Sequence, residues 1–135
     1  MVRGDIHAIT LPSRRGRVQQ GQRFAVIVQA DDLLALSTVI VCPTSRATPP
    51  ASFHPEVVIG DEPTRVMCEM LGAVDARSLG KQIGHLTLNA TRSVDDALQL
   101  VLDLRQPASR VRSTARAVDG TWRCANHVTA RGLAT

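Results

Sequence analysis

The hydrophobic pattern of this chain changes its period once, and the change separates a β-rich part from a helical part. Up to residue 86, short β-branched or alternating runs are interrupted by glycine, proline and aspartate, as in strands joined by turns. After Leu88 the apolar residues follow a helical spacing, at Ala90, Val94, Ala97, Leu98, Val101 and Leu102. This order predicts a mainly β fold with a C-terminal helix (α+β), built as a small SH3-like antiparallel barrel.

The β-rich part contains five or six predicted strands. The first alternates polar and apolar residues, whereas the next two are continuously apolar and indicate buried strands. A polar loop, Ser13–Gln22, separates the first two, and its length suggests a lid or binding loop. The predicted strands are Asp5–Leu11, Phe24–Gln29, Thr38–Cys42, Phe53–Ile59, Thr64–Leu71 with a continuation to Asp75, and Lys81–Leu86. Predicted turns lie at Asp31–Leu36, Gly60–Pro63 and Ala76–Leu79, the first and last of them helical.

The helix should begin at a cap, Thr87 or Asn89, and stop near Arg105, because Pro107 cannot continue a helix. Residues 1–104 hold ten basic and eleven acidic residues, whereas residues 105–135 hold six arginines and one acid, so the net charge of +4 originates in the C-terminal segment. That segment lacks hydrophobic patterning. We therefore expect a barrel with its helix over residues 1–105, followed by a basic, flexible or weakly helical extension over 106–135.

The composition of the chain limits its class. A length of 135 residues with 44% hydrophobic residues corresponds to one domain with a modest core. No apolar run approaches the roughly twenty residues that span a bilayer, and the N-terminus does not resemble a signal peptide, which indicates a cytoplasmic protein without a membrane partner. Cys42 and Cys68 lie in apolar runs and are expected to be buried and structural, while the role of Cys124 is open.

Two strand ends carry residues that suit a phosphate. Arg23 opens the second predicted strand, and Thr44 and Ser45 follow Pro43 at the end of the third. A guanidinium can bind two phosphate oxygens while neighbouring hydroxyls donate and accept hydrogen bonds. From the residues alone, Arg23 could equally be a solvated strand-edge arginine, and Thr44-Ser45 could be simple turn residues. The cluster of Arg14, Arg15, Arg17 and Arg23, which contains no acid, is either a nucleic-acid patch or a solvated loop.

The ordered set of motifs resembles the MazF/PemK toxin family over roughly residues 2–105. The set runs from Arg3-Gly4-Asp5-Ile6 through Gly21-Gln22-Arg23 and Pro43-Thr44-Ser45 to Phe53-His54-Pro55-Glu56-Val57, Val66-Met67-Cys68-Glu69, Val74-Asp75 and Ile83-Gly84-His85-Leu86. The resemblance implies a homodimeric, metal-independent, sequence-selective endoribonuclease of a bacterial toxin–antitoxin pair. It implies that Arg23 is the catalytic arginine, that Thr44 holds the scissile phosphate, and that Ser45 belongs to the same motif.

The same resemblance suggests the reaction and the partners. Attack by the 2′-hydroxyl of single-stranded RNA would give a 2′,3′-cyclic phosphate and a 5′-hydroxyl, with no cofactor or metal. The loop before Arg23 lacks the acid or histidine that relatives often carry there, so Glu69 and His54 are the candidates for proton transfer by motif position. The expected RNA-binding residues are Arg14, Arg15, Arg17, Gln19, Gln22 and Arg46. The expected protein partner is an acidic, partly disordered antitoxin.

Two other functions fit a small barrel of this kind. One is a gyrase-binding toxin of the CcdB type, which acts through its extreme C-terminus; here that end is the irregular Arg131–Thr135. The other is a nonenzymatic RNA- or phosphate-binding barrel. The chain has no tyrosine and only three large aromatic residues, Phe24, Phe53 and Trp122, so we expect RNA to be read mainly through hydrogen bonds and phosphate contacts.

Overall fold

The computed structural model describes residues 1–11 and 21–104, together with the segments 116–118, 121–123 and 129–131. The chain divides into two compact units, Met1–Leu102 and Asp103–Thr135. No helix in the described parts of the chain is long and apolar enough to cross a membrane.

The first unit is a curled antiparallel sheet, a half-barrel, with one helix after the last strand, which confirms the predicted fold class. The strands are β1 (Asp5–Leu11), β2 (Gly21–Ile27), β3 (Thr38–Ser45), β4 (Glu56–Ile59), β5 (Glu62–Val66), β6 (Gly72–Asp75) and β7 (Leu79–His85). Their order across the sheet is β4-β5-β3-β2-β1-β7, and β6 pairs with β3 off this path. Short 3-10 turns occupy Asp31–Leu33, Cys68–Met70 and Ala76–Ser78.

Several strand bounds differ from the sequence prediction: β2 begins at Gly21, β3 continues to Ser45, and β7 covers Leu79–His85. The strand expected over Thr64–Leu71 ends at Val66, because the 3-10 turn Cys68–Met70 interrupts it before β6. Two further differences have a clear local cause. The strand expected over Phe53–Ile59 begins only at Glu56, because Pro55 has no N–H and the His54 amide already closes a turn onto the Ala51 carbonyl at 3.0 Å. The turn expected over Gly60–Pro63 is shorter. Gly60 and Asp61 have φ of +57° and +67°, the signature of a two-residue hairpin turn, so Glu62 already belongs to β5.

The helix α1 spans Leu88–Val101. The Thr87 hydroxyl caps it by accepting a hydrogen bond from the Ala90 amide at 3.2 Å, as one of the two expected caps. The helix ends four residues before Arg105, because Leu102 closes the last turn and Asp103 adopts a left-handed conformation with φ of +52°. Its buried side chains, Val94, Ala97 and Leu98, belong to the apolar stripe seen in the sequence.

Both faces of the central strands are buried, which accounts for their continuously apolar sequences. One face packs against α1 in a cluster that includes Ile6, Val26, Cys42, Val66, Cys68, Val94 and Leu98. The opposite face forms a second cluster of Ile9, Ala25, Ile27, Val39 and Val41, covered by Leu34, Val74, Ala76 and Leu79. Cys42 and Cys68 are buried free thiols, as expected, while Cys124 lies outside the described residues.

The second unit contains three short antiparallel strands in its described part: β8 (Arg116–Val118), β9 (Thr121–Arg123) and β10 (Thr129–Arg131), in the order β10-β9-β8. These positions are extended, whereas the sequence favoured a flexible or weakly helical segment. The expected flexibility of residues 106–135 stays a prediction.

A buried carboxylate joins the N-terminus to the last strand of the sheet. Asp5 is 3% exposed, and its Oδ1 accepts hydrogen bonds from His85 Nδ1 at 2.8 Å and from Gln82 Nε2 at 3.0 Å. Its Oδ2 accepts the Val2 amide at 2.8 Å. Burial alone would raise the pKa of Asp5. The hydrogen bonds from His85 and the Val2 amide, with the positive charges of His85 and the N-terminus, outweigh it, and the pKa lies below its ordinary value of 3.8.

Replacing this carboxylate should remove a pH dependence of stability. Because folding lowers the pKa of Asp5, its charged form stabilises the fold above about pH 4, and this contribution is lost as the pH falls through the lowered pKa. We expect Asp5→Asn to lower the free energy of unfolding at pH 7 by about 1–3 kcal/mol and to flatten its decline between about pH 4 and pH 2. Urea unfolding across this range measures both effects.

The matched control for this prediction is Asp61→Asn, at an exposed turn position that asparagine tolerates. Parallel pH curves for Asp5→Asn and wild type would contradict the assignment.

Candidate functional site

The candidate site lies where strand β3 changes its partner. One edge of β3 pairs with β2, and the last pair of residues on this edge is Ala25 with Pro43. The other edge of β3 pairs with β5 through its last two residues, Thr44 and Ser45. The start of β2 therefore diverges from the end of β3, and a cleft of ≈ 170 Å³ opens between β2 and the β4–β5 hairpin. The cleft is lined by Arg23, Phe24, Thr44, Ser45, Arg46, Ile59, Glu62 and Thr64.

The two hydroxyls at the end of β3 are buried and held in place. Thr44 is 4% exposed, and its Oγ1 donates a hydrogen bond to the Phe24 carbonyl at 2.9 Å, which ties β3 to β2 just beyond their last paired residues. Ser45 is buried too, and its Oγ accepts the Ala47 amide at 3.2 Å. The Thr44 hydroxyl must rotate away from Phe24 in order to donate to a ligand, while its lone pairs can accept without any movement.

Arg23 places a guanidinium at the same cleft from the opposite strand. Its Nε is buried and has no hydrogen-bond partner among the described residues. A buried N–H without an acceptor costs free energy, and an anion in the cleft would satisfy it. The structure thus brings Arg23, Thr44, Ser45 and Arg46 together around one cleft, as the phosphate hypothesis requires.

A carboxylate that the sequence analysis missed also lines the cleft. Glu62 Oε2 accepts a hydrogen bond from Arg46 Nη1, and both side chains are more than half exposed. An exposed ion pair of this kind contributes about 0–1 kcal/mol, so a substrate can displace it at little cost. In the sequence, Gly60, Asp61 and Pro63 surround Glu62 and predict a turn there. In the structure the turn consists of Gly60 and Asp61 alone, and Glu62 pairs with Ile59 as the first residue of β5.

His54 and Glu69 do not line the cleft. They contact each other, with His54 Nε2 at 2.8 Å from Glu69 Oε1, and His54 Nδ1 donates to the Pro49 carbonyl at 2.8 Å. Both ring nitrogens of this buried histidine are therefore occupied. The pair connects the loop before β4 to the turn Cys68–Met70, and proton transfer by either residue stays a prediction.

The remaining candidates for RNA binding lie at or beyond the edge of the described region. Arg14, Arg15, Arg17 and Gln19 are outside the described residues. Gln22 is described through its backbone, which pairs with Thr10 in β1. Their contribution to RNA binding stays a prediction.

Comparison with known proteins supplies the family. The pattern that defines the PemK-like, MazF-like toxins of type II toxin–antitoxin systems matches residues 2–102 of the chain. The chain belongs to this toxin family. The match covers the whole half-barrel and its helix, so Arg23, Thr44 and Ser45 all lie in the matched region of this PemK/MazF-like toxin.

Several relatives resemble the toxin along most of their length. A candidate toxin of Mycobacterium tuberculosis (strain ATCC 25618 / H37Rv) is 26% identical over 106 residues, which make up 77% of this chain and 99% of that protein. A mycobacterial endoribonuclease, solved in complex with its cognate antitoxin, superposes with a TM-score of 0.66 at 16% identity, covering 79% of this chain and 99% of its own. The Mycobacterium tuberculosis toxin MazF-mt6 gives 0.64 at 21% identity, with coverages of 76% and 99%. The two solved structures establish that the toxin shares their fold.

Proposed function

We propose that this toxin is a sequence-selective endoribonuclease that cleaves single-stranded RNA in the cleft between β2 and the β4–β5 hairpin. The observation that carries the proposal is that Arg23, whose buried Nε has no hydrogen-bond partner among the described residues, lines the same small cleft as Thr44. A phosphodiester is the anion that fits this arrangement, since it offers two non-bridging oxygens to the guanidinium and a further acceptor to a hydroxyl. A relative with the same fold is an endoribonuclease, which supports the proposal.

The cleft residues can act on a substrate that carries its own nucleophile. The 2′-hydroxyl oxygen of the RNA forms a new bond to phosphorus, and the bond from phosphorus to the 5′ oxygen breaks. Arg23 stabilises the negative charge that develops on the non-bridging oxygens, and Thr44, with Ser45 beside it, orients the phosphate. Glu62 is the one carboxylate that lines the cleft within the described region, so we propose that it acts as the general base and accepts the proton of the 2′-hydroxyl. Water supplies the proton that the departing 5′ oxygen takes up.

The proposed regulator is a cognate antitoxin with an acidic, partly disordered segment. Carboxylates of such a segment would satisfy Arg23 and displace Glu62 from Arg46, and so occupy the positions of the RNA phosphate. The toxin of the mycobacterial complex is bound to its own antitoxin, which supports a partner of this class. Action as a cytoplasmic homodimer is part of the same proposal.

A cleavage assay on a long RNA tests the proposal. Purified protein is incubated with the RNA in EDTA, and the new 5′ ends are mapped for wild type and for the Thr44 and Arg23 variants. We expect cuts at one short recurring sequence. An RNA that stays intact with wild type would refute the enzymatic proposal, and a simultaneous change in gyrase-dependent supercoiling would favour a gyrase-binding toxin instead.

The Thr44 hydroxyl should contribute measurably to the rate. Thr44→Val keeps the shape of the side chain but removes the donor, and we expect the single-turnover cleavage rate to fall about 10- to 100-fold, the value of a hydrogen bond to a charged group. Thr44→Ser retains the hydroxyl and should stay within a few-fold of wild type. Equal single-turnover rates for Thr44→Val and wild type at saturating protein would exclude the phosphate contact.

A further inference from the structure

The cleft contains an aromatic side chain that the proposed chemistry does not use. Phe24 follows Arg23 directly, lines the cleft, and leaves 40% of its surface exposed. Phe53, the other phenylalanine, packs edge-on against His54 with ring centroids 4.4 Å apart and does not line the cleft. An aromatic ring that stays partly in water at the edge of a polar cleft gains free energy when a flat apolar surface covers it.

The backbone of Phe24 is fixed beside the phosphate-binding groups. Its carbonyl accepts the Thr44 hydroxyl at 2.9 Å, and its strand position pairs with Ala8 of β1. Phe24 therefore contacts Thr44 through its backbone and directly follows Arg23 in the sequence. The buried Ile59 supplies another apolar part of the cleft lining, while Arg46 and Glu62 supply the charged part. A ligand that combines an anion with a flat apolar ring matches this lining.

We propose that Phe24 is a base-stacking residue, which holds an unpaired nucleobase next to the scissile phosphate. This inference rests on the proposed function and specifies its substrate. A phenyl ring has no hydrogen-bonding group, so it accepts the face of any base and discriminates chiefly by stacking strength. A base in a duplex is already stacked on its neighbours and cannot cover the ring, so Phe24 favours single-stranded RNA. The ring adds a base contact to a cleft in which the sequence indicated only hydrogen bonds and phosphate contacts.

The test measures binding independently of cleavage. The probe is a short fluorescein-labelled RNA that spans a mapped cut site and carries a 2′-deoxynucleotide at the cut, so that it cannot react. We expect Phe24→Leu, which keeps an apolar side chain but loses the ring face, to weaken binding about 5- to 100-fold. Phe24→Tyr keeps the face and should bind within a few-fold of wild type. Phe53→Leu makes the same change at a ring outside the cleft and should leave the affinity unchanged.

A series of abasic probes then identifies the stacked base. At one position, removing the base from the RNA should weaken its binding to wild type as much as the Phe24→Leu substitution weakens binding of the complete RNA. The same abasic RNA should bind Phe24→Leu almost as tightly as the complete RNA does, because the contact between ring and base is already lost in this variant. If no abasic position weakens binding to wild type, or if the two losses simply add at every position, the inference is wrong. If Phe24→Leu does not fold, the same comparison is made with Phe24→Met, which also lacks the ring. RNA left intact by wild type would instead refute the proposed function.

Discussion

Arg23→Ala is expected to lower the single-turnover rate of RNA cleavage by about 100- to 1000-fold, the usual cost of removing one preorganised donor from a charged transition state. Arg23 lines the cleft, and its buried Nε has no acceptor among the described residues, so this donor is not already committed to another group of the described fold. Arg23→Lys keeps the charge but not the planar fork, and should recover only part of the loss. Quenched-flow cleavage of an end-labelled RNA at saturating protein measures the rate.

The control for charge is an arginine outside the cleft. Arg77 does not line the cleft, is 94% exposed in its side chain and lies 4.0 Å from Asp75, so Arg77→Ala removes the same charge and should cleave at the wild-type rate. A thermal melt of Arg23→Ala should show an intact fold, since removing Arg23 also removes an unsatisfied buried N–H. Cleavage by Arg23→Ala at the wild-type rate would show that the active site lies elsewhere.

Glu62→Gln is expected to lower the cleavage rate by about 100-fold, at the lower end of what a positioned general base contributes. The amide keeps the size of the side chain and a hydrogen bond to Arg46, but it cannot accept the 2′-hydroxyl proton. Single-turnover cleavage of the end-labelled RNA at saturating protein measures the rate.

Glu69→Gln is the matched control for Glu62→Gln, because it makes the same change in the carboxylate that the sequence motif favoured. Glu69 bonds to buried His54 and does not line the cleft, so Glu69→Gln should cleave at close to the wild-type rate. The opposite result, with the rate lost in Glu69→Gln and kept in Glu62→Gln, would assign proton transfer to the His54–Glu69 pair.

The periodicity of the sequence predicted the fold well because each part has a distinct physical cause. Strands β2 and β3 are buried on both faces, so their sequences are continuously apolar, whereas α1 is buried on one face and shows a helical stripe. Bounds were predicted less well where a hydrogen bond outside the strand decides them. The bond from the His54 amide to Ala51 delays the start of β4, and the left-handed Asp103 ends α1 before Pro107 can.

The residues of the site could be predicted only in part. The cleft opens where β2 and β3 stop pairing, and this divergence depends on the tertiary structure rather than on the sequence of either strand. Arg23 and Thr44 were recognisable since each stands at the end of an apolar run. Glu62 and the exposed ring of Phe24 were not, because their places in the cleft depend on the curl of the sheet and on the two-residue turn at Gly60-Asp61. No sequence pattern reports that β3 pairs with β2 up to Pro43 and with β5 at Thr44.

The products of a single cut show whether the 2′-hydroxyl of the RNA or water is the nucleophile. A short RNA that contains the mapped site, and a copy with one 2′-deoxynucleotide immediately before the scissile phosphate, are incubated with wild-type protein in EDTA and analysed by mass spectrometry. We expect a 2′,3′-cyclic phosphate and a 5′-hydroxyl from the RNA, and no cleavage of the deoxy copy. Cleavage of the deoxy copy, or a 5′-phosphate on the product, would show that the nucleophile is water rather than the 2′-hydroxyl and would contradict the mechanism built on Arg23, Thr44 and Glu62.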